Sequence, residues 1–117
     1  MNLSRPHYRL DAWKESLKLA KLIYELSQRF PDSERYGLVS QMRRAAVSVL
    51  SNIAEGAARN SRKEFAQFLS IAQGSLSELE AQVIISQELG YIADSAEVLE
   101  LLDRVSRLVG GLQRSLR

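Results

Sequence analysis

Apolar residues recur every three or four positions in four separate stretches of this 117-residue chain. That spacing places apolar side chains along one face of an α-helix, and no stretch alternates with the two-residue period of a β-strand. The spacing predicts helices over residues 10–30, 34–58, 62–89 and 95–117. Because the connections are short, we predict an all-α fold, an antiparallel up-down-up-down four-helix bundle. In this prediction residues 10–117 form a single domain and residues 1–9 a flexible N-terminal arm.

Local signals mark the ends of the predicted helices. Pro31 stops the first helix, because proline has no N–H and disfavours helical geometry in the residue before it. Asp32 or Ser33 is then the expected N-cap of the second helix. The later ends are marked by a capping box, a C′ glycine and an N-cap aspartate, which are Ser61 with Glu64, Gly90, and Asp94.

The helices are expected to differ in how they pack. The first helix carries a predicted core stripe of mostly large residues, namely Leu10, Trp13, Leu17, Ala20 and Tyr24, and this face is widened by Leu19, Ile23, Leu26 and Phe30. The apolar stripe of the second helix consists largely of small residues, so that a neighbouring helix can approach it closely. Gly74 lies in the middle of the third helix, where glycine costs about 1 kcal/mol relative to alanine. That cost predicts a close contact that a methyl group would block.

The composition excludes several classes of protein. No apolar run approaches the roughly 20 residues that a bilayer crossing needs, and the N-terminal residues lack the apolar core of a signal peptide. The absence of cysteine excludes disulfides, thiolate metal sites and thiol catalysis. These features predict a cytoplasmic protein without membrane association.

The charge is distributed unevenly, although its net value is only +2. Residues 35–63 carry six basic residues and one acidic residue, whereas residues 64–90 carry four glutamates and no basic residue. A local positive field can steer an anionic partner to the protein. The alternative is that the basic second helix lies beside the acidic third helix and is neutralised by it.

Catalytic and metal-binding chemistry has little support. A di-metal site in a bundle needs Glu-x-x-His pairs on facing helices, and the one histidine, His7, lies in the predicted arm. Glu55, Glu78 and Glu80 can be proposed as an acid and a base, but no nucleophile or metal ligand accompanies them. No glycine-rich phosphate loop is present. We therefore predict a protein that is not an enzyme and that uses no cofactor or metal ion.

Nucleic-acid binding is better supported, by five basic residues in the second helix and the turn after it: Arg43, Arg44, Arg59, Arg62 and Lys63. The paired N–H donors of arginine match the oxygens of a phosphate. No helix-turn-helix, zinc-finger or base-stacking pattern accompanies them. We expect contacts to phosphates, while any one of these arginines can instead form an ion pair within the bundle.

Self-association is a further possibility. Small and polar residues on the second and third helices suit contact between two copies of the chain, and the alternative is packing inside one bundle. The predicted interface consists of Ser48, Asn52, Glu55, Gly74, Ser75 and Glu78.

Three segments carry a resemblance to a known family: LDAWKESLKLA from Leu10, FPDSERYGLVSQMRRAAVSVLSNIAEGAARNSRKEFAQFLSIAQGSLSELE from Phe30, and ELGYI from Glu88. The chain resembles the bacterial four-helix-bundle proteins encoded in intervening sequences of 23S ribosomal RNA genes. The same family includes the accessory variability determinant proteins of diversity-generating retroelements. The most specific parts of the match are residues 52–56 and the Gly74-Ser75 pair.

The resemblance implies a four-helix bundle that assembles as a ring-like homopentamer. For the retroelement branch it also implies binding to nucleic acid and to a reverse transcriptase through a basic surface. The third helix of this chain has no basic residue after Lys63, so we expect weak, sequence-independent binding to RNA or DNA. The alternative is a protein-interaction scaffold or an accessory subunit, for example of a retroelement reverse transcriptase, without nucleic-acid binding of its own.

Overall fold

The computed structural model describes residues 5–117, which contain four α-helices and no β-strand. The helices are α1 (Asp11–Ser27), α2 (Leu38–Ala57), α3 (Arg62–Glu88) and α4 (Ala96–Ser115). Each helix packs against two neighbours in a closed ring, in the order α1, α2, α3, α4 and back to α1. Short connections make consecutive helices antiparallel. The predicted all-α four-helix bundle is therefore confirmed.

The core lies between the four helices and receives fully buried side chains from each of them, including Leu19, Ile23, Met42, Ile53, Leu76, Leu79, Val105 and Val109. Burial of one such side chain contributes about 1.5–3 kcal/mol to folding. Packing of these residues determines which face of each helix remains on the outside.

The inward face of α1 differs from the predicted stripe. Leu17 and Tyr24 are 43% and 42% exposed. Trp13 and Ala20 of the predicted stripe are buried, together with Leu19 and Ile23 beside them. The buried face also includes three residues that the stripe did not contain, namely Ala12, Ser16 and Ser27. The two serines are buried because each hydroxyl donates to a carbonyl of its own helix at 2.7 Å. The prediction for α1 is therefore wrong at Leu17 and Tyr24, and it did not include the two buried serines, because periodicity counts only apolar residues toward the core.

Both predicted boundaries of the connection between α1 and α2 are wrong. α1 ends at Ser27 rather than near Phe30, whose side chain turns inward and is buried. A 3-10 turn over Asp32–Glu34 follows, and α2 begins only at Leu38. Gly37 takes the N-cap position, so neither of the two predicted residues does.

Glu34 holds this connection in place. Its carboxylate accepts the N–H of Leu38 at 3.4 Å and the hydroxyl of Tyr91 at 3.0 Å. The hydrogen bond to Glu34 raises the pKa of Tyr91, because the carboxylate favours the protonated phenol. The connection is thereby tied to the segment before α4. Arg35 and Tyr36 lie in the connection, and both are exposed.

The predicted signals at both ends of α3 are confirmed, and the one at the start of α4 is displaced by one residue. The Ser61 hydroxyl accepts the N–H of Glu64 at 3.2 Å. Gly90 has a φ of +83°, the left-handed geometry that a C′ glycine supplies. At the start of α4 the N-cap position is taken by Ser95, so the prediction of Asp94 as the N-cap is wrong by one residue, although a carboxylate oxygen of Asp94 accepts the N–H of Ala96 at 2.9 Å. These signals depend only on neighbours in sequence, which is why they could be identified there.

The predicted N-terminal arm is described from residue 5 onward. Pro6–Arg9 form a 3-10 helix against α1 and α2, and the His7 ring contacts the Trp13 ring with centroids 4.7 Å apart. Residues 1–4 of the same prediction lie outside the described residues. Within residues 5–117, no helix is both long enough and apolar enough to cross a bilayer.

Candidate nucleic-acid interface

The five basic residues predicted to contact nucleic acid lie at opposite ends of α2. Arg43 and Arg44 are in its second turn, whereas Arg59, Arg62 and Lys63 are in or beside the turn to α3. At a rise of about 1.5 Å per residue, Arg43 and Arg59 are about 24 Å apart along the helix axis. The structure therefore divides the predicted site into two separate groups.

The first group is joined by residues that the sequence-based prediction did not include. Arg35 lines the same surface groove as Arg43 and Arg44. The other lining residues are two tyrosines, Tyr24 and Tyr36, two valines and one serine, and no acidic residue is among those described. We call this feature the arginine–tyrosine groove. It brings together α1, the α1–α2 connection and α2.

Arg43 is held in the groove by three contacts. Its Nε donates to the Ser27 hydroxyl at 2.9 Å, and its Nη2 donates to the Tyr24 carbonyl at 3.3 Å. Its guanidinium carbon lies 4.6 Å from the centroid of the Tyr24 ring, at the distance of a cation–π contact. The two hydrogen bonds use two of the five N–H donors of a guanidinium. The charge is fixed in position while other donors stay available to a ligand.

Tyr36 is unusually exposed. Its side chain is 89% accessible, whereas the other large hydrophobic residues on the described surface do not exceed 52%. Such exposure contributes nothing to the core, which makes the ring a candidate contact residue. The prediction from sequence does not include Tyr36 as a contact residue, because it places Tyr36 in the second helix and Tyr24 in the core of the first. The available signal was an arginine–tyrosine pair directly before a glycine, in a connection between helices.

The second group begins with Arg59, which is surrounded by partners within the chain. Its guanidinium lies 3.4 Å from a carboxylate oxygen of Glu55 and 3.9 Å from one of Glu64. It also lies over the ring of Phe68, 5.0 Å from the centroid. These contacts compensate the charge of Arg59 locally.

Arg62 and Lys63 complete the second group. Arg62 donates to the Ser115 carbonyl at 3.3 Å, at the C-terminal end of α4, where the helix dipole favours a cation. Lys63 is exposed. The two interpretations of the uneven charge thus apply to different places. Compensation inside the bundle describes Arg59 at the turn, whereas the described lining of the groove contains three arginines and no carboxylate.

Three of the six predicted interface residues contact one another along the seam between α2 and α3. The Ser48 and Ser75 hydroxyls are 2.9 Å apart. The Asn52 amide donates to the Ser48 carbonyl at 2.8 Å and to its hydroxyl at 3.0 Å. Their polar groups are therefore satisfied within one chain, and their role between copies stays a prediction.

The prediction of a close contact at Gly74 is wrong within the chain. A methyl group at Gly74 would meet no atom within 4 Å, because this residue lies on the outward side of α3. The close contact occurs at Gly56 instead. A Cβ there would lie 2.8 Å from the Phe68 Cβ and 2.9 Å from the Phe65 Cδ1. Gly56 allows α3 to pack against α2 beside their turn.

The outward side of α3 carries a row of exposed residues at helical spacing, namely Ile71, Gly74, Glu78, Ala81, Ile85 and Leu89. We call this row the α3 outer stripe. It contains Gly74 and Glu78 of the predicted interface, while Glu55 is exposed on α2 and pairs with Arg59. The stripe is apolar except for Glu78.

Comparison with protein families supplies the context for these surfaces. A family model described as 23S rRNA-intervening sequence protein matches residues 8–111, a range that includes α1 to α3 entirely and most of α4. The chain belongs to this family. The resemblance found in the sequence is confirmed at this level. Both ends of α2 lie inside the family match, so the groove and the turn belong to the part of the chain that defines it. A search of curated proteins finds no match.

Proposed function

We propose that this protein is a non-enzymatic nucleic-acid-binding protein that acts as a homo-oligomer and binds RNA or DNA weakly, without sequence specificity. The observation that carries the proposal is the arginine–tyrosine groove, in which Arg35, Arg43 and Arg44 converge with no acidic residue among the described lining. Guanidinium groups bind phosphate oxygens through paired hydrogen bonds. The family is described by an intervening sequence of 23S rRNA, which makes an RNA a suitable first probe for this binding.

Salt dependence tests this proposal directly. Each phosphate that a protein contacts on duplex DNA contributes about 0.9 to the slope of log affinity against log salt, and about 0.7 on a single strand. Three groove arginines therefore predict a slope of about 2–3 in magnitude. We expect fluorescence anisotropy with labelled RNA and DNA oligonucleotides to give this slope. A lack of binding at low salt, or binding that does not respond to salt, would contradict the proposal.

Self-association is proposed to use the α3 outer stripe. Ile71, Ile85 and Leu89 are each about half exposed, and Gly74 leaves room for a neighbouring surface. Apolar residues at this spacing are typical of a helix that packs against another element. A homopentamer is the assembly that the family resemblance implies.

Substitution of Ile85 by glutamate tests this interface. Light scattering is expected to give the mass of a pentamer for the native chain and that of a monomer for Ile85→Glu, because burial of a lone carboxylate is unfavourable. Leu17→Glu is the matched control, since Leu17 is similarly exposed but lies on α1. A native chain that is monomeric, or an equal effect of both variants, would contradict this part of the proposal.

The second candidate function is an accessory subunit of a retroelement reverse transcriptase. The α3 outer stripe supports it, because an apolar helix face can pack against a different protein as well as against a second copy. This candidate predicts that Ile85→Glu abolishes binding to the polymerase and that the isolated chain shows no salt-dependent binding to nucleic acid.

A further inference from the structure

We propose that the arginine–tyrosine groove binds an unpaired nucleotide of a single-stranded nucleic acid, with its base stacked on Tyr36 and its flanking phosphates on Arg35 and Arg44. The inference rests on the proposed nucleic-acid binding and deepens it, because it names the strand state that the groove prefers. It adds a stacking residue to arginines that no base-stacking pattern accompanies in the sequence.

Tyr36 has the exposure and the support that a stacking residue needs. At 89% accessibility, its ring is open to a flat ligand. The backbone around it is held by hydrogen bonds, because the Arg35 N–H donates to the Asp32 carbonyl at 3.1 Å and the Gly37 N–H donates to the Glu34 carbonyl at 3.0 Å. A ring presented on an ordered connection loses little freedom when a base stacks on it. Stacking of one base on an aromatic side chain is worth about 5- to 150-fold in affinity.

The other residues in and beside the groove have different roles in this binding. Tyr24 is covered by the Arg43 guanidinium, so this ring serves to position a charge rather than to bind a base. Val39 and Val47 add apolar surface to the groove beside the arginines. Asp32 lines an adjacent depression together with Arg35 and Arg43, and its carboxylate would repel a phosphate there. The strand is therefore directed along the α2 side of the groove, towards Arg44.

A single strand suits this arrangement better than a duplex. The bases of a duplex are stacked on one another, so an aromatic side chain can reach the face of a base only where the strand is unpaired. Single strands are commonly bound by a basic surface that follows the phosphates together with aromatic rings that receive the bases. The groove contains both parts, drawn from α1, α2 and the connection between them.

An abasic strand separates stacking from phosphate binding. The probes are a fluorescein-labelled oligothymidylate of about 12 nucleotides, the abasic strand with the same number of phosphates, and a duplex of the same length. We expect anisotropy at low salt to show about 5- to 150-fold tighter binding of the oligothymidylate than of the abasic strand. Tyr36→Ala should lower oligothymidylate binding to the abasic level and leave abasic binding unchanged, which also shows that the variant is folded. Tyr36→Phe should keep the preference, because its ring can still stack.

Each contrary result identifies what has failed. Equal binding of the oligothymidylate and the abasic strand by the native chain, or tighter binding of the duplex, would overturn the stacking inference and leave the proposed nucleic-acid binding intact. An undiminished preference in Tyr36→Ala would overturn the assignment to this ring, as would loss of the preference in Tyr36→Phe. A native chain that binds none of the three probes would overturn the proposed function itself.

Discussion

The two ends of α2 both present arginines, and the surroundings of those arginines differ in kind. At the turn to α3, Arg59 lies near the carboxylates of Glu55 and Glu64. In the groove at the other end, the contacts of Arg43 within the described chain are with uncharged groups, a hydroxyl, a carbonyl and the face of a ring. A cluster of arginines in a sequence therefore shows where positive charge lies, but it does not show whether that charge is available to a ligand.

The backbone differs between the two ends as well. At the turn, α2 and α3 pack so closely that Gly56 lies against Phe65 and Phe68. At the groove, a connection outside any α-helix separates α1 from α2 and places Arg35 and Tyr36 on the surface. The turn therefore serves packing, whereas the groove leaves side chains available for contact.

The largest expected effect tests the packing of the turn. Gly56→Ala should lower the free energy of unfolding by about 1–3 kcal/mol, because the added methyl group would lie less than 3 Å from the Cβ of Phe68 and displace packed rings. Urea denaturation measures the change. Gly110→Ala is the matched control, since the nearest atom to its Cβ is 3.5 Å away and belongs to the flexible end of Arg114.

The control should be neutral or stabilising by up to about 1 kcal/mol, because alanine has the higher helix propensity. Equal stability of the Gly56→Ala protein and the native chain would show that the turn is not closely packed. The contrast between the two ends of α2 would then rest on charge alone.

Charge reversal at each end should give the next effect. Arg44→Glu is expected to weaken binding of a single-stranded oligonucleotide about tenfold and to lower the salt slope by about 1, because it removes one phosphate contact. Arg62→Glu should change the affinity less than about twofold, since Arg62 is engaged with the Ser115 carbonyl and lies far from the groove.

Anisotropy across a salt series measures both variants, with Arg107→Glu on α4 as the control, because Arg107 is 75% exposed and pairs with Asp103. If Arg62→Glu lowered the affinity for the oligonucleotide as much as Arg44→Glu does, both ends of α2 would belong to one binding surface.

The smallest expected effect concerns the ion pair between Arg104 of α4 and Glu15 of α1. Hydrogen bonds from Lys18 and Arg104 lower the pKa of Glu15, and the Arg104 bond joins α4 to α1 at 2.6 Å. A lowered pKa in the folded state contributes stability above the unfolded pKa, and this contribution disappears as the pH falls through the folded value. Glu15→Gln should therefore cost about 0.2–1 kcal/mol near neutral pH and almost nothing in strong acid.

Urea denaturation at several pH values measures this difference. Asp103→Asn is the matched control, because its ion pair with Arg107 lies within one helix and is well exposed on both sides. A cost of Glu15→Gln that is the same at all pH values would indicate that the side chain acts through packing rather than through its charge.

Much of the fold could be predicted because its signals are local. The caps at Ser61 and Gly90 depend on residues within one turn, and the apolar stripe of α2 follows from regular apolar spacing. The burial of Ser16 and Ser27 on α1 could not be predicted in this way, since each serine satisfies its hydroxyl on its own helix. Tyr24 lies outside the core and lines the groove.

The four helices and their antiparallel order could be predicted from the sequence, because helical periodicity and capping act between residues close together in the chain. The family could be identified from the sequence as well, through the resemblance of three segments. The tertiary structure was needed to show which of the described arginines lie near carboxylates and where two helices approach each other closely. Tyr24, Arg35 and Arg44 meet from separate segments, and the close contact is at Gly56 rather than Gly74. Both outcomes depend on how the helices rotate about their axes to bury the core, and the arrangement of neighbours follows from that packing.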